Sequence, residues 1–215
     1  MLVKKLIFLW ISLILCLFSL LPNNVNNNSL ENRNQLGEKN SPIISPKSAI
    51  MHDPINIQNE SGLLSFVVGE DLSGTGTEGD PYIISNLEIS ALDNTTDAAI
   101  SIANTTSFIM LDNILIHDIV GFEQFIWGIN LDNCSNIVLD EITIINLSNN
   151  YILDENYVFC ISCYESDNIE FLNIGIQNCI ADRVYHFDFY EIDQVILEDI
   201  ICQGSQPINY TCGLS

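Results

Sequence analysis

Apolar residues recur two apart in five short stretches between Tyr82 and Cys202, and each stretch breaks at the same place. The stretches read Tyr82-Ile-Ile-Ser-Asn-Leu-Glu-Ile89, Ile109-Met-Leu-Asp-Asn-Ile-Leu-Ile116, Ile137-Val-Leu-Asp-Glu-Ile-Thr-Ile144, Ile169-Glu-Phe-Leu-Asn-Ile-Gly-Ile176 and Val195-Ile-Leu-Glu-Asp-Ile-Ile-Cys202. A period of two predicts strands, and the central pair, polar or acidic in four of the five copies, predicts a bend between two of them. A third alternation accompanies the repeat as Ala99-Ile-Ser-Ile-Ala103, Gly128-Ile-Asn-Leu-Asp132, Cys160-Ile-Ser-Cys-Tyr164 and His186-Phe-Asp-Phe-Tyr190. Successive starts at 82, 109, 137, 169 and 195 are 27, 28, 32 and 26 residues apart. That irregularity does not suit a leucine-rich horseshoe, but a parallel β-helix accommodates loops of unequal length between its strands. The expected fold is therefore all-β, a parallel β-helix of about five coils.

Laying the third strands side by side predicts two inward ladders, Ile100, Ile129, Ile161 and Phe187, then Ile102, Leu131, Cys163 and Phe189. Two residues earlier, Trp127, Phe159 and Tyr185 share that parity and are expected to stack in the core. The opposite parity faces solvent. It sets Gly128, Asn130 and Asp132 beside Cys160, Ser162 and Tyr164, and these beside His186, Asp188 and Tyr190.

The rest of the chain divides by composition. Residues 1–21 carry Lys4 and Lys5 before an apolar run, Leu6 to Leu21, shorter than the roughly 20 residues of a membrane span and typical of an export signal. A signal peptide is expected, with an uncleaved anchor as the alternative, so any membrane contact is through residues 6–21. Residues 22–49 are rich in Asn and Ser and predict a disordered tether. Residues 50–80 are expected to cap the stack, starting with Ile55, Ile57, Leu63 and Leu64, and residues 81–215 to form the repeats. Within the cap, the glycines of Gly74-Thr-Gly-Thr-Glu-Gly-Asp-Pro81 predict a tight turn, since the stretch lacks the Gly-Lys-Ser/Thr ending of a phosphate loop. Tyr210-Thr-Cys-Gly-Leu214 opens a further coil, which predicts self-association through an unpaired edge.

Charge narrows the partners. The net charge is −22, and Arg183 is the only Lys or Arg after Lys47, which excludes nucleic acid as an expected partner. The bend pairs place Asp112, Asp140, Glu141, Glu198 and Asp199 in neighbouring coils about 4.8 Å apart, where like charges repel. Ca²⁺ would relieve that repulsion. Leu172 interrupts the run, so an unliganded, cofactor-free stack is the preferred expectation and Ca²⁺ the alternative. Six cysteines follow Cys16 and admit fifteen pairings, none of which the spacing selects. Seven Asn-x-Ser/Thr sequons, at Asn27, Asn59, Asn94, Asn104, Asn133, Asn146 and Asn209, fit an exported surface.

Pro54-Ile-Asn-Ile57 followed by Gly74-Thr-Gly-Thr-Glu-Gly-Asp-Pro-Tyr-Ile-Ile84, and Gly128-Ile-Asn-Leu-Asp-Asn-Cys-Ser-Asn-Ile137, resemble exported, mostly archaeal parallel β-helix repeat proteins. The resemblance covers about residues 50–215. It implies the right-handed, pectate-lyase-like superfamily with NosD-type repeats, whose members include carbohydrate-binding and sugar-hydrolysing proteins, and it implies little about activity.

The outward patch is the candidate site. Tyr164 and Tyr190 are suited to stacking on sugar rings, with Asn130, Asp132, His186 and Asp188 binding hydroxyls. The expected function is a noncatalytic glycan-binding or adhesion surface, secreted or on the cell surface. The alternatives are a purely structural or truncated solenoid and a polysaccharide hydrolase or lyase. Such an enzyme would use Asp132 and Asp188, which strand spacing places roughly 9.6 Å apart across two coils, within the range of an inverting pair. The polygalacturonase residues of the superfamily do not carry over, as there is no Gly-His-Gly, Asp-Asp or Arg-Ile-Lys. A lyase would depend on Arg183, where pairing with Asp182 or Glu155 is the simpler expectation.

Overall fold

The computed structural model describes residues 49–90 and 97–212, with side chains up to residue 205. The expected export segment, nearly all of the tether, and the sequons at Asn27 and Asn94 lie outside these residues. The elements are β1 (Ile50–Met51), β2 (Ile55–Ile57), α1 (Glu60–Gly69), β3 (Tyr82–Ile89), β4 (Ala98–Thr105), β5 (Ile109–His117), β6 (Val120–Gly121) and β7 (Phe125–Ile145), followed by β8 (Ser148–Asn149), β9 (Tyr157–Tyr164), β10 (Asp167–Leu172), β11 (Gly175–Gln177), β12 (Ile180–Tyr190), β13 (Asp193–Glu198), β14 (Ile201–Gln203) and β15 (Gln206–Cys212).

Every ladder between these strands is parallel, and the chain is a parallel β-solenoid of about four turns with one short helix. One face runs β1, β3, β5, the second half of β7, β10 with β11, then β13 with β14. The second face runs β2, β4, the first half of β7, β9, β12 and β15. The register matches the repeat alignment. Tyr82, Ile109, Ile137, Ile169 and Val195 stand in one column, and Ile84, Leu111, Leu139, Phe171 and Leu197 in the next. About four turns form where about five coils are expected, and the fifth repeat is the last rung of its face among the described residues. Its core-column residue Leu197 is 39% exposed, where Phe171 and Leu139 above it are fully buried. β15, which includes the start of the Tyr210–Leu214 stretch expected to open a further coil, pairs parallel with β12.

Asparagine makes many of the bends, with Asp118, Glu141, Glu165, Glu191, Gln194 and Asp199 at others. Asn86, Asn104, Asn113, Asn133, Asn136, Asn146, Asn168, Asn173 and Asn178 all have φ between 50° and 62°. Asn enters this left-handed region more readily than other residues that carry a Cβ. The side chains then bond along the solenoid axis. Asn113 Nδ2 donates to Asn86 Oδ1 at 2.7 Å, Asn133 to Asn104 at 2.9 Å, Asn168 to Asn136 at 2.8 Å, and Asn146 to Asp118 Oδ1 at 2.7 Å. Each turn is thereby tied to its neighbour by a polar ladder at the corner, alongside backbone bonds such as Asn146 N to Gln177 O at 3.0 Å.

At the N-terminal end a short helix packs on the first coil. Ile55 and Ile57 form β2 on the first coil and are buried, but Leu63 and Leu64 lie on α1 and do not extend the alternation. Asn59 starts the helix, its Oδ1 accepting from Gly62 N at 2.9 Å, which satisfies one of the free amides of the first turn. Leu63 and Val67 are buried against the first coil, while Glu60 accepts bonds from Thr106 N and the Ser107 hydroxyl. The helix therefore covers a sheet end that would otherwise be open. The glycine turn is as tight as expected. Gly74 has φ +102°, and a Cβ there would sit 1.9 Å from the Pro81 carbonyl oxygen.

Candidate functional site

The second face carries the candidate residues, and its outer surface depends on a break in strand alternation. In β9, Val158 is buried and Phe159 half-buried, then Cys160 and Ile161 are both buried. In β7, Gly128 and Ile129 repeat this. Two consecutive residues point inward, so everything upstream changes face. Trp127, Phe159 and Tyr185 therefore lie outside, and the buried positions are Ile126, Val158 and Val184. This corrects the expectation that the three rings fill the core. It also removes Gly128 and Cys160 from the outward patch.

The displaced rings form a column along the axis. Trp127 and Phe159 stack with centroids 5.7 Å apart and planes 15° apart, and Phe159 and Tyr185 at 5.0 Å and 13°. Phe125 and Tyr157 flank them, with ring centroids 5.0 Å apart. Arg183 lies with Cζ 5.6 Å from the Tyr157 ring centroid and pairs with Glu155 at 3.0 Å, one of the two carboxylates expected for it.

Downstream of the break the expected outward parity holds. Ser101, Asn130, Ser162 and Asp188 share one column, and Ala103, Asp132, Tyr164 and Tyr190 the next. Tyr164 and Tyr190 stack at 4.5 Å and 17° and are 41% and 49% exposed. The Tyr190 hydroxyl is held above its ordinary pKa, chiefly by its hydrogen bond to Glu191, and stays protonated at neutral pH.

The result is a polar strip, one column running along the axis between two aromatic columns, with half-buried Asn130 and Asp188 on either side of a buried Ser162. Trp127, Phe159 and Tyr185 stand on one side, Tyr164 and Tyr190 on the other. From Trp127 to Asp132 is five residues of strand, so the columns are roughly 16 Å apart at the backbone. The ring faces within each column are mostly turned to one another. What the walls offer the strip is ring edges, and Tyr164 offers one uncovered face toward the shorter Asp132.

His186 is not part of this strip. It falls at the break, turns into the coil, and places Nε2 2.7 Å from Ser205 Oγ. Burial holds its pKa below the ordinary histidine value, so the ring is neutral at pH 7. Asp132 and Asp188 are separated by two residues along the strand as well as two coils. Their backbones are therefore roughly 12 Å apart, farther than the roughly 9.6 Å that a single column would give.

The acidic bend residues are split. Asp112 pairs in register with Asp140, beside Glu141, but Leu172 stands between Asp140 and Glu198, with Asp199 beyond. Burial first, then Asp140 and Glu141, raise the Asp112 pKa, and Asp140 accepts from Asn173 Nδ2 at 2.8 Å. Among the described residues no three His, Cys, Asp or Glu side chains gather as a metal site would require.

Two clusters were not visible in the sequence. His117 sits between Glu88 and Asp118 at 2.9 and 2.8 Å, with Asn146 donating to Asp118. A hollow of about 640 Å³ lies in the cap beside His52, Phe66 and Glu70, away from every candidate residue. No protein-family model, no curated protein and no solved structure matches this chain.

Proposed function

We propose that this chain is a noncatalytic, exported or cell-surface protein that binds a glycan along the outer strip of the second face. The observation that carries this reading is the strip itself, the amide of Asn130 and the carboxylates of Asp132 and Asp188 along a rigid sheet with aromatic columns on both sides. Sugars present hydroxyl groups at their rims and C–H groups on their faces; the amide and carboxylates suit the first, and the face of Tyr164 turned from Tyr190 suits the second. The parallel ladders hold the groups in place, so little ordering is required on binding. The resemblance to right-handed parallel β-helix repeat proteins supports the same reading, and we assign the chain to that group. Lys4, Lys5 and the apolar run to Leu21 support export.

With a net charge of −22, neutral polysaccharides are the expected ligands and uronic-acid polymers are disfavoured. The test is retention of the protein on a panel of neutral and acidic polysaccharides, with new reducing or unsaturated ends followed in parallel. Retention on a neutral polymer without products, weakened by Tyr164→Ala and Asn130→Ala in variants that melt like the parent, supports the proposal. Products abolished by Asp132→Asn or Asp188→Asn would establish an enzyme instead. An absence of both retention and products would leave only a structural solenoid.

A further inference from the structure

The break in alternation that turns the rings outward also turns one residue per coil toward the opposite corner. In the second coil this residue is Gly128, where an added Cβ would lie 3.2 Å from Leu147 Cδ2. In the fourth it is His186, 2.7 Å from Ser205. Leu147, Cys179 and Ser205 occupy equivalent positions, each directly after a left-handed corner residue, Asn146, Asn178 or Gly204. In the third coil the facing pair is Cys160 and Cys179. Their sulfurs lie 3.2 Å apart, Cys160 donating to Cys179, and both side chains are fully buried.

We propose that Cys160 and Cys179 form a disulfide that rivets the third coil across its width. It is the one thiol–thiol hydrogen bond among the described residues. Cys134 instead donates to the Ile102 and Asp132 carbonyls and accepts from Thr105, and Cys163 packs in the Leu131–Phe189 column. Closing from 3.2 Å to a bond of about 2.05 Å requires the two sulfurs to approach by about 1.2 Å, within the reach of side-chain rotation.

The chemistry is thiol–disulfide exchange with a small-molecule disulfide. One thiolate attacks the reagent and releases a thiol, and the second cysteine then displaces the other half. The S–S bond forms, two protons leave the cysteines, and the two electrons reduce the reagent to two thiols. Both sulfurs are enclosed in the finished fold, so exchange precedes closure of the coil. The rivet therefore forms during folding, and the folded reduced protein resists oxidation.

The experiment uses the full chain, unfolded with reductant and refolded by dilution with or without a mixture of oxidised and reduced glutathione. Free thiols are alkylated and the protein is cut after glutamate. The expected product is peptide 156–165 linked to peptide 171–191, two hydrogens lighter than the separate pair, in the parent and in Cys163→Ser. The oxidised protein melts roughly 5–10 °C above the reduced one, and the difference vanishes in the Cys160→Ala/Cys179→Ala variant. Recovery of Cys160 and Cys179 both alkylated, or of Cys179 linked to Cys202, would overturn the proposal. Chain folded directly into an oxidising compartment and digested the same way gives this readout without refolding.

Discussion

Tyr164 and Tyr190 stack face to face at 4.5 Å, close to the spacing of the strands that carry them. Each ring thus spends one face on the other, and they are not two independent sugar platforms. The open face of Tyr164 looks along the axis toward Asp132, the preceding residue of its column. Tyr164→Ala is therefore expected to weaken glycan retention by about 3- to 10-fold, the value of one ring contact, while Tyr164→Phe leaves it within about 2-fold. Calorimetric titration with the retained oligosaccharide measures both.

Ligand charge gives a second test. Neutral polymers should bind with little response to salt, whereas any binding of acidic polymers should strengthen as salt screens the repulsion. Retention of an acidic polymer that weakens with salt would contradict the strip as its site.

His117 and His186 should titrate in opposite senses. Burial, the largest single influence on His117, lowers its pKa, but the bonds and charges of Asp118 and Glu88 outweigh it and leave the value raised. Its contribution to stability is full below the unfolded value of about 6.5 and is lost as pH rises through the folded value. The destabilisation caused by His117→Gln should accordingly shrink as pH rises above about 6.5. The His186 pKa is lowered by burial, so its contribution is full above about 6.5 and is lost as pH falls through the folded value. Urea melts across this range separate the two.

Asp112→Asn should raise the melting temperature at pH 7. It removes a carboxylate whose charged form is disfavoured by burial and by Asp140 and Glu141. The gain should disappear near and below pH 4, where the carboxyl is protonated in the parent. It should be equal with Ca²⁺ and with chelator. A melting temperature that Ca²⁺ raises in the parent but not in the variant would restore the cation reading.

Gly128→Ala should cost about 1–3 kcal/mol in a urea melt. The added Cβ would lie 2.5 Å from the Cys160 carbonyl oxygen and press on Ile144 and Leu147. Loss of the corner amide in Asn113→Ala should cost a similar amount, since φ of 51° disfavours a residue with a Cβ and the bond to Asn86 is lost.

The repeat alone determined the parallel ladders and their register, because apolar residues two apart must share a face and identical spacing in successive copies stacks them. Tyr82, Ile109, Ile137, Ile169 and Val195 were legible as one column for that reason. The strip of Asn130, Asp132, Asp188, Tyr164 and Tyr190 was legible too, as it lies downstream of the break. Only the tertiary structure decided where alternation fails. Two adjacent inward residues at Gly128-Ile129 and Cys160-Ile161 leave no mark in a pattern where glycine and cysteine suit either face. Yet they send Trp127, Phe159 and Tyr185 outside, His186 to Ser205 and Cys160 to Cys179. The length of the cap helix and the pairing of one cysteine couple out of fifteen likewise depend on contacts across the coil, which spacing along the chain does not encode.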